Sequence, residues 1–145
     1  MDALCGSKTL CSVLKKELIQ YQLVPVVGYS DLKDHYSKLD ADISNIILLG
    51  SGAMVDLESF FDIDSNEFIL EQSEDGSGEV VLSRKIYVID GHKPWNLDNL
   101  FGSHMVTCLD DGFVDRELKI EKEAYETLMT LQEEEGEGDG AEEEE

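Results

Sequence analysis

Two uninterrupted apolar runs constrain the fold of this chain more than any other feature. Residues 45–50 read Asn-Ile-Ile-Leu-Leu-Gly, and residues 85–89 read Lys-Ile-Tyr-Val-Ile. Strands without apolar and polar alternation are buried on both faces, and such strands belong to parallel sheets that helices cover. The sequence therefore predicts an α/β fold built on a parallel sheet.

Helical and extended patterns alternate around these two runs, as they do when helices connect parallel strands. The first helix has apolar residues at spacings near three and four, with Asp2 as its N-cap. The predicted helices span residues 3–20, 31–39, 55–61, 94–101 and 117–132, with Pro94 in the first turn of the fourth. The predicted strands span residues 23–27, 45–50, 67–71, 80–82, 85–89 and 105–109.

A strongly acidic balance limits what this chain binds. The formal net charge is −22, and residues 133–145 contain nine acidic side chains and no basic one. Residues 1–132 still carry −13, which argues against tight binding of nucleic acid by this segment. We predict one domain over residues 1–132 and a disordered acidic tail over residues 133–145, because like charges repel and almost nothing there can be buried.

The cysteines and the apolar content point to a reduced compartment. Cys5, Cys11 and Cys108 are odd in number and lack the CxxC spacing, so neither a disulfide framework nor a zinc site is predicted. No apolar run reaches the length of a membrane span, and no signal peptide is visible, so no membrane partner is predicted.

The ends of the predicted strands are where a parallel sheet carries its chemistry. Asp2, residues 50–52 and residues 90–92 lie at such strand ends or helix starts. Asp90 and His92, together with Asp2, are candidate ligands for manganese or magnesium. The alternative is that Asp90 caps the following segment while His92 is exposed. Spacing alone favours the alternative, since one Asp-x-His is a weak signal.

Four strings carry a family resemblance in their order and separation: DALCGSKTL, LVPVVGYSDL, IILLGSGAMVDLESF and IYVIDGHKPWNLDNLFG. Together they resemble the amino-terminal region of the cell division control protein 45 family over residues 1–132. The acidic tail resembles an acidic insertion of that family. The resemblance implies a Rossmann-like DHH phosphoesterase domain, here partial, because the family's usual first strand would precede Asp2.

The DHH phosphoesterases, which include the RecJ nucleases, use several carboxylates and histidines, and the resemblance assigns positions for them here. Asp2 matches the second aspartate of the first motif, and Gly50 stands where an active enzyme has a strand-end aspartate. Asp90, Gly91 and His92 match the Asp-His-His triplet, with Gly91 in place of the first histidine. Two carboxylates and one imidazole are absent, so the resemblance implies a retained fold, a lost reaction, no metal site and no cofactor.

The resemblance also implies a biological role. Family members are nuclear factors for the initiation and elongation of DNA replication, and they join the MCM helicase ring and the GINS complex. Contact with single-stranded DNA is expected of the complete protein rather than of this acidic segment. The alternative reading is an active manganese-dependent phosphoesterase or exonuclease that uses Asp2, Asp90 and His92.

Overall fold

The structure is a computed structural model that describes residues 2–71 and 81–138. It divides into two units, Met1–Leu109 and Asp110–Glu145. The elements of the first unit are α1 (Asp2–Lys16), α2 (Tyr29–Tyr36), β1 (Asn45–Leu49), α3 (Leu57–Phe61), a 3₁₀ turn (Ser65–Phe68), β2 (Ile69–Glu71), β3 (Val81–Leu82), β4 (Lys85–Ile89), a π-helical turn (Asp98–Gly102) and β5 (Val106–Cys108). The second unit contains α4 (Phe113–Glu117) and α5 (Lys119–Gly138).

The two apolar runs pair side by side in a parallel sheet of order β1-β4-β5. Leu48 of β1 lies opposite Val88 of β4, and Ile86 of β4 lies opposite Val106 of β5. Ile86 and Val88 are almost completely buried, as expected for a strand with neighbours on both sides. The predicted α/β class with a parallel sheet is confirmed, and the arrangement is compatible with a Rossmann-like fold. A separate antiparallel pair joins β2 and β3.

The core of the first unit forms where the sheet meets α2, α3 and the loop after β1. An N-cap aspartate, Asp56, fixes the start of α3 by accepting a hydrogen bond from the backbone N–H of Ser59 at 3.2 Å. The ring of Tyr36 in α2 stacks on that of Phe61 in α3, with 4.0 Å between centroids. The buried apolar residues are Leu32, Leu48, Ala53, Leu57, Phe61, Ile86, Val88, Met105 and Val106.

The strand predicted at residues 23–27 is absent, and this prediction was wrong. The segment has no regular structure, and its side chains are exposed. Val27 is almost fully exposed, and Leu23 is more than half exposed. An apolar run becomes a strand only beside a partner that accepts its hydrogen bonds. Within the described residues the three-stranded sheet ends at β1, and no strand pairs with the segment.

The predicted helices have different limits in the structure, as the first and the fourth illustrate. The first ends at Lys16 rather than near residue 20, and Leu18 adopts a left-handed conformation with φ 58°. The helix predicted from Pro94 is replaced by an irregular segment that follows a cis Lys93–Pro94 bond, and a π-helical turn begins only at Asp98. Tertiary hydrogen bonds prevail over local propensity here, because Asn96 donates its backbone N–H to the carbonyl of Ala53 at 2.7 Å.

The second unit consists of α4 and α5. Asp110 accepts hydrogen bonds from the backbone N–H groups of Phe113 and Val114 and so caps α4. The helix α5 continues through Gly138, so residues 133–138, predicted to begin a disordered tail, have helical backbone. Residues 139–145 lie outside the described residues. In the part of the chain that is described, no helix combines the length and apolar character needed to cross a membrane.

Candidate functional site

Asp90, the residue after β4, occupies the carboxyl edge of the sheet. Its side chain is only 1% exposed. One carboxylate oxygen, Oδ2, accepts a hydrogen bond from the backbone N–H of Ala53 at 3.2 Å. The other, Oδ1, accepts the backbone N–H of His92 at 3.1 Å and lies 2.5 Å from Nδ1 of the His92 ring. The carboxylate thus ties the loop after β4 to the loop after β1.

The pKa of Asp90 reflects two opposing effects. Burial by itself raises this pKa, because it penalises the charged form. The backbone N–H groups of His92 and Ala53 and the His92 ring favour the charged form, and they leave the pKa below its ordinary value. Asp90 is therefore an ionised, internally bonded carboxylate at neutral pH.

The loop after β1 begins at Gly50, a position with no room for a side chain. Gly50 has φ +71°, and a Cβ atom there would lie 2.8 Å from the Cβ atom of Ala3 in the first turn of α1. Its backbone N–H donates to the carbonyl of Ile89 at 2.8 Å. Two residues on, the backbone N–H of Gly52 donates to the hydroxyl of Tyr29 at 3.2 Å. Backbone groups and close packing therefore hold this loop.

A buried amide, Asn99 of the π-helical turn, completes the site. Its Oδ1 accepts the backbone N–H of Leu57 at 3.1 Å, and its Nδ2 donates to the carbonyls of Gly52 at 3.3 Å and Val55 at 2.7 Å. Our sequence reasoning did not find this residue. The available signal was a pair of asparagines three residues apart, and Asn96 Oδ1 does accept the backbone N–H of Asn99 at 3.0 Å.

The structure brings together only part of the predicted site. Asp90 and His92 are in contact, and Gly50 is linked to the end of β4 through its backbone. The His92 side chain is 71% exposed, and Asp2 lies exposed in the first turn of α1 rather than before it as an N-cap. Across residues 2–71 and 81–138, no three His, Cys, Asp or Glu side chains form a group that could hold a metal ion.

A thiol lies near this carboxylate. Burial and, secondarily, the negative charge of Asp90 raise the pKa of Cys108 to about 11. The thiol is therefore protonated at neutral pH and is a poor nucleophile or metal ligand. Cys5 in α1 is exposed by comparison.

Comparison with known proteins identifies the family of this chain. The family model described as CDC45 matches residues 1–145. The chain belongs to the CDC45 family. Its relatives in that family include Cell division control protein 45 of Saccharomyces cerevisiae, which is 50% identical over 136 residues covering 94% of this chain and 21% of the yeast protein.

More distant CDC45 family members match nearly the same span. The Cell division control protein 45 homolog of Schizosaccharomyces pombe is 35% identical over 86% of this chain and 17% of its own length. The homolog of Homo sapiens is 28% identical over 92% of this chain and 20% of its own length. The chain thus spans about a fifth of the length of the CDC45 relatives that it matches.

Proposed function

We propose that this chain is a non-catalytic module of a DNA-replication factor, with a DHH phosphoesterase-like fold that no longer hydrolyses phosphoesters. The complete protein would act in the nucleus, in the initiation and elongation of replication, as a scaffold subunit that joins the MCM helicase ring to the GINS complex. Membership of the CDC45 family supports the replication role, since the relatives are named for the control of cell division.

The packing at Gly50 carries the non-catalytic part of the proposal. The resemblance to DHH enzymes assigns a metal-binding aspartate to this strand end. A left-handed φ of +71° disfavours any side chain at Gly50, and a Cβ atom added there would lie only 2.8 Å from the Cβ atom of Ala3. A carboxylate would therefore fit only if α1 moved away. The close approach of α1 to the backbone of Gly50 is expected where the residue contributes no side chain to a site.

The bonding of Asp90 supports the same conclusion. Two-metal hydrolysis requires several carboxylates or imidazoles that point at the cations. Asp90 instead directs both oxygens at N–H groups of its own chain, and its side chain is buried. A cation at this carboxylate would have to compete with those hydrogen bonds and would find only the exposed His92 ring beside it.

Manganese binding and nuclease activity test the loss of catalysis. We expect calorimetry to give the same weak manganese binding for the chain and for its Asp90→Asn variant, because the acidic surface supplies the sites. We also expect no release of mononucleotides from single-stranded DNA. The His104→Ala variant is a control that removes an exposed imidazole outside the candidate site. Tight manganese binding and nucleotide release, both lost in Asp90→Asn, would establish the phosphoesterase alternative instead.

Co-purification tests the scaffold role in the full-length protein that carries this sequence. We expect the full-length protein to co-purify with purified MCM ring and GINS complex at low salt. We expect His92→Ala to co-purify equally well, because the proposed role requires no chemistry at this site. Failure of the unmodified protein to co-purify under these conditions would count decisively against the scaffold role.

A further inference from the structure

The helix α5 has an apolar stripe that is left exposed by residues 110–138, the described part of the second unit. Ile120, Ala124, Leu128 and Leu131 follow one another at spacings of four, four and three, which places them on one face of the helix. All four are exposed, Ile120 by 78%, Leu128 by 60% and Leu131 by 50%. We call these four residues the α5 stripe.

The polar groups near the α5 stripe are satisfied within the helix. Thr127 lies between Ala124 and Leu128, and its hydroxyl donates to the carbonyl of Glu123 at 2.8 Å. The hydroxyl of Thr130 likewise donates to the carbonyl of Glu126 at 3.0 Å. Neither hydroxyl needs a partner outside the helix, so the face presented by the stripe is apolar in character.

The helix does not have a core of its own to stabilise it. Among the side chains described between residues 119 and 133, none is buried, and Tyr125 is half-buried. In proteins, most of the stability of a helix comes from burial of an apolar face rather than from helix propensity. The α5 stripe is therefore a surface that gains free energy when another surface covers it.

Charge identifies the kind of surface that fits. Glu121 and Glu123 lie on the two sides of the α5 stripe, and Glu133 follows it. Both lysines of the helix, Lys119 and Lys122, line the groove between α4 and α5, where Asp115, Glu123 and Glu126 accompany them. Acidic side chains therefore outnumber basic ones there as well. Nucleic acids and anionic lipids are repelled by such flanks, whereas lysines and arginines are attracted.

We propose that the α5 stripe docks into an apolar groove with a basic rim on a partner protein. In this mode an amphipathic helix places its apolar face in a hydrophobic groove and its charged flanks meet charges of opposite sign on the rim. The proposal does not depend on the replication role, because it uses only the exposure and charge of α5.

A synthetic amphipathic peptide supplies a probe of this chemistry. The peptide carries leucines on one face and lysines on both flanks, and fluorescence anisotropy reports its binding to the 145-residue chain. We expect Leu128→Ser to weaken binding by about tenfold, because a large apolar contact at the centre of the interface is lost. The matched control is Met129→Ser, which alters a side chain on the same helix but off the stripe and exposed by 40%. We expect a change of less than about twofold for the control.

Further measurements make the proposal falsifiable. A peptide with glutamates in place of the lysines should lose binding, and a peptide with serines in place of the leucines should bind at least about tenfold more weakly. Equal binding of either peptide would overturn the proposal, as would equal loss of binding in Leu128→Ser and Met129→Ser.

Sedimentation of the chain alone should give a monomer. A dimer that Leu128→Ser dissolves would show that a second copy occupies the stripe instead. Circular dichroism verifies that both variants keep α5.

Discussion

A Cβ atom at Gly50 would lie 2.8 Å from the Cβ atom of Ala3, so the first turn of α1 is packed directly against the backbone that follows β1. This approach leaves no room for a side chain at the end of β1. Glycine has no Cβ and tolerates φ +71°, so one residue permits both the tight turn and the helix contact.

Gly50→Ala should destabilise the chain by about 1–3 kcal/mol, because it adds a strained left-handed φ and a steric overlap with Ala3. Urea denaturation followed by circular dichroism measures this difference. Gly91→Ala is the matched control, since a Cβ there meets nothing within 4 Å, and it should change stability by less than about 0.5 kcal/mol. Equal effects of the two substitutions would show that α1 does not pack on Gly50.

Asp90→Asn should cost about 1–3 kcal/mol at neutral pH, because a buried carboxylate that accepts two backbone N–H bonds is replaced. The lowered pKa of Asp90 sets the pH dependence. Its carboxylate stabilises the fold above the ordinary value of 3.8, and this contribution is lost as the pH falls through the folded-state pKa. The difference in free energy of unfolding between the unmodified chain and Asp90→Asn, measured in urea, should therefore become smaller below about pH 4. If that difference in free energy of unfolding stays constant between pH 7 and pH 3, the Asp90 carboxylate does not stabilise the fold in this way.

Asn99→Ala should destabilise the chain by about 3 kcal/mol, since the backbone N–H of Leu57 and the carbonyls of Gly52 and Val55 lose their buried partner. Thermal or urea unfolding measures the loss. Asn45→Ala removes an exposed amide that bonds only the neighbouring Ser44 hydroxyl at 3.1 Å, and it should be nearly neutral. A neutral Asn99→Ala would mean that water replaces the amide at all three groups.

Cys108 should resist alkylation in the folded chain. With a pKa of about 11, only about one thiol in a thousand is ionised at pH 8, and the thiolate is the reactive form. Peptide mass spectrometry after brief iodoacetamide treatment should find Cys5 modified and Cys108 intact. Denaturation in urea should make the two thiols react at similar rates. Rapid modification of Cys108 in the native chain would contradict its placement beside Asp90.

The sequence predicted the sheet because its signal is local and strong. Residues 46–49 and 86–89 are apolar at successive positions apart from the hydroxyl of Tyr87, so the sequence favoured strands of a parallel sheet that helices cover. The contact of Asp90 with His92 also followed from their proximity in sequence and their position after a strand. The four strings predicted the family, and the match to the CDC45 model confirmed it.

The prediction failed where a segment depends on partners distant in sequence. Residues 23–27 have a strand-like composition, yet composition cannot provide the neighbouring strand that would complete their hydrogen bonds. The start of the helical turn at Asp98 depends on Asn96 and Asn99 bonding to the loop after β1 across more than 40 residues. Such bonds leave no periodic pattern in the sequence.

The sequence by itself determined the α/β class, two strands of the parallel sheet, the acidic balance and the family, because each follows from residue order and composition. Only the tertiary structure decided that α1 packs against Gly50 and that both carboxylate oxygens of Asp90 accept hydrogen bonds from its own chain. It also decided that the Asn99 amide hydrogen-bonds to three backbone groups. These features arise where loops from separate strands meet at one edge of the sheet, and close packing there determines which side chains fit.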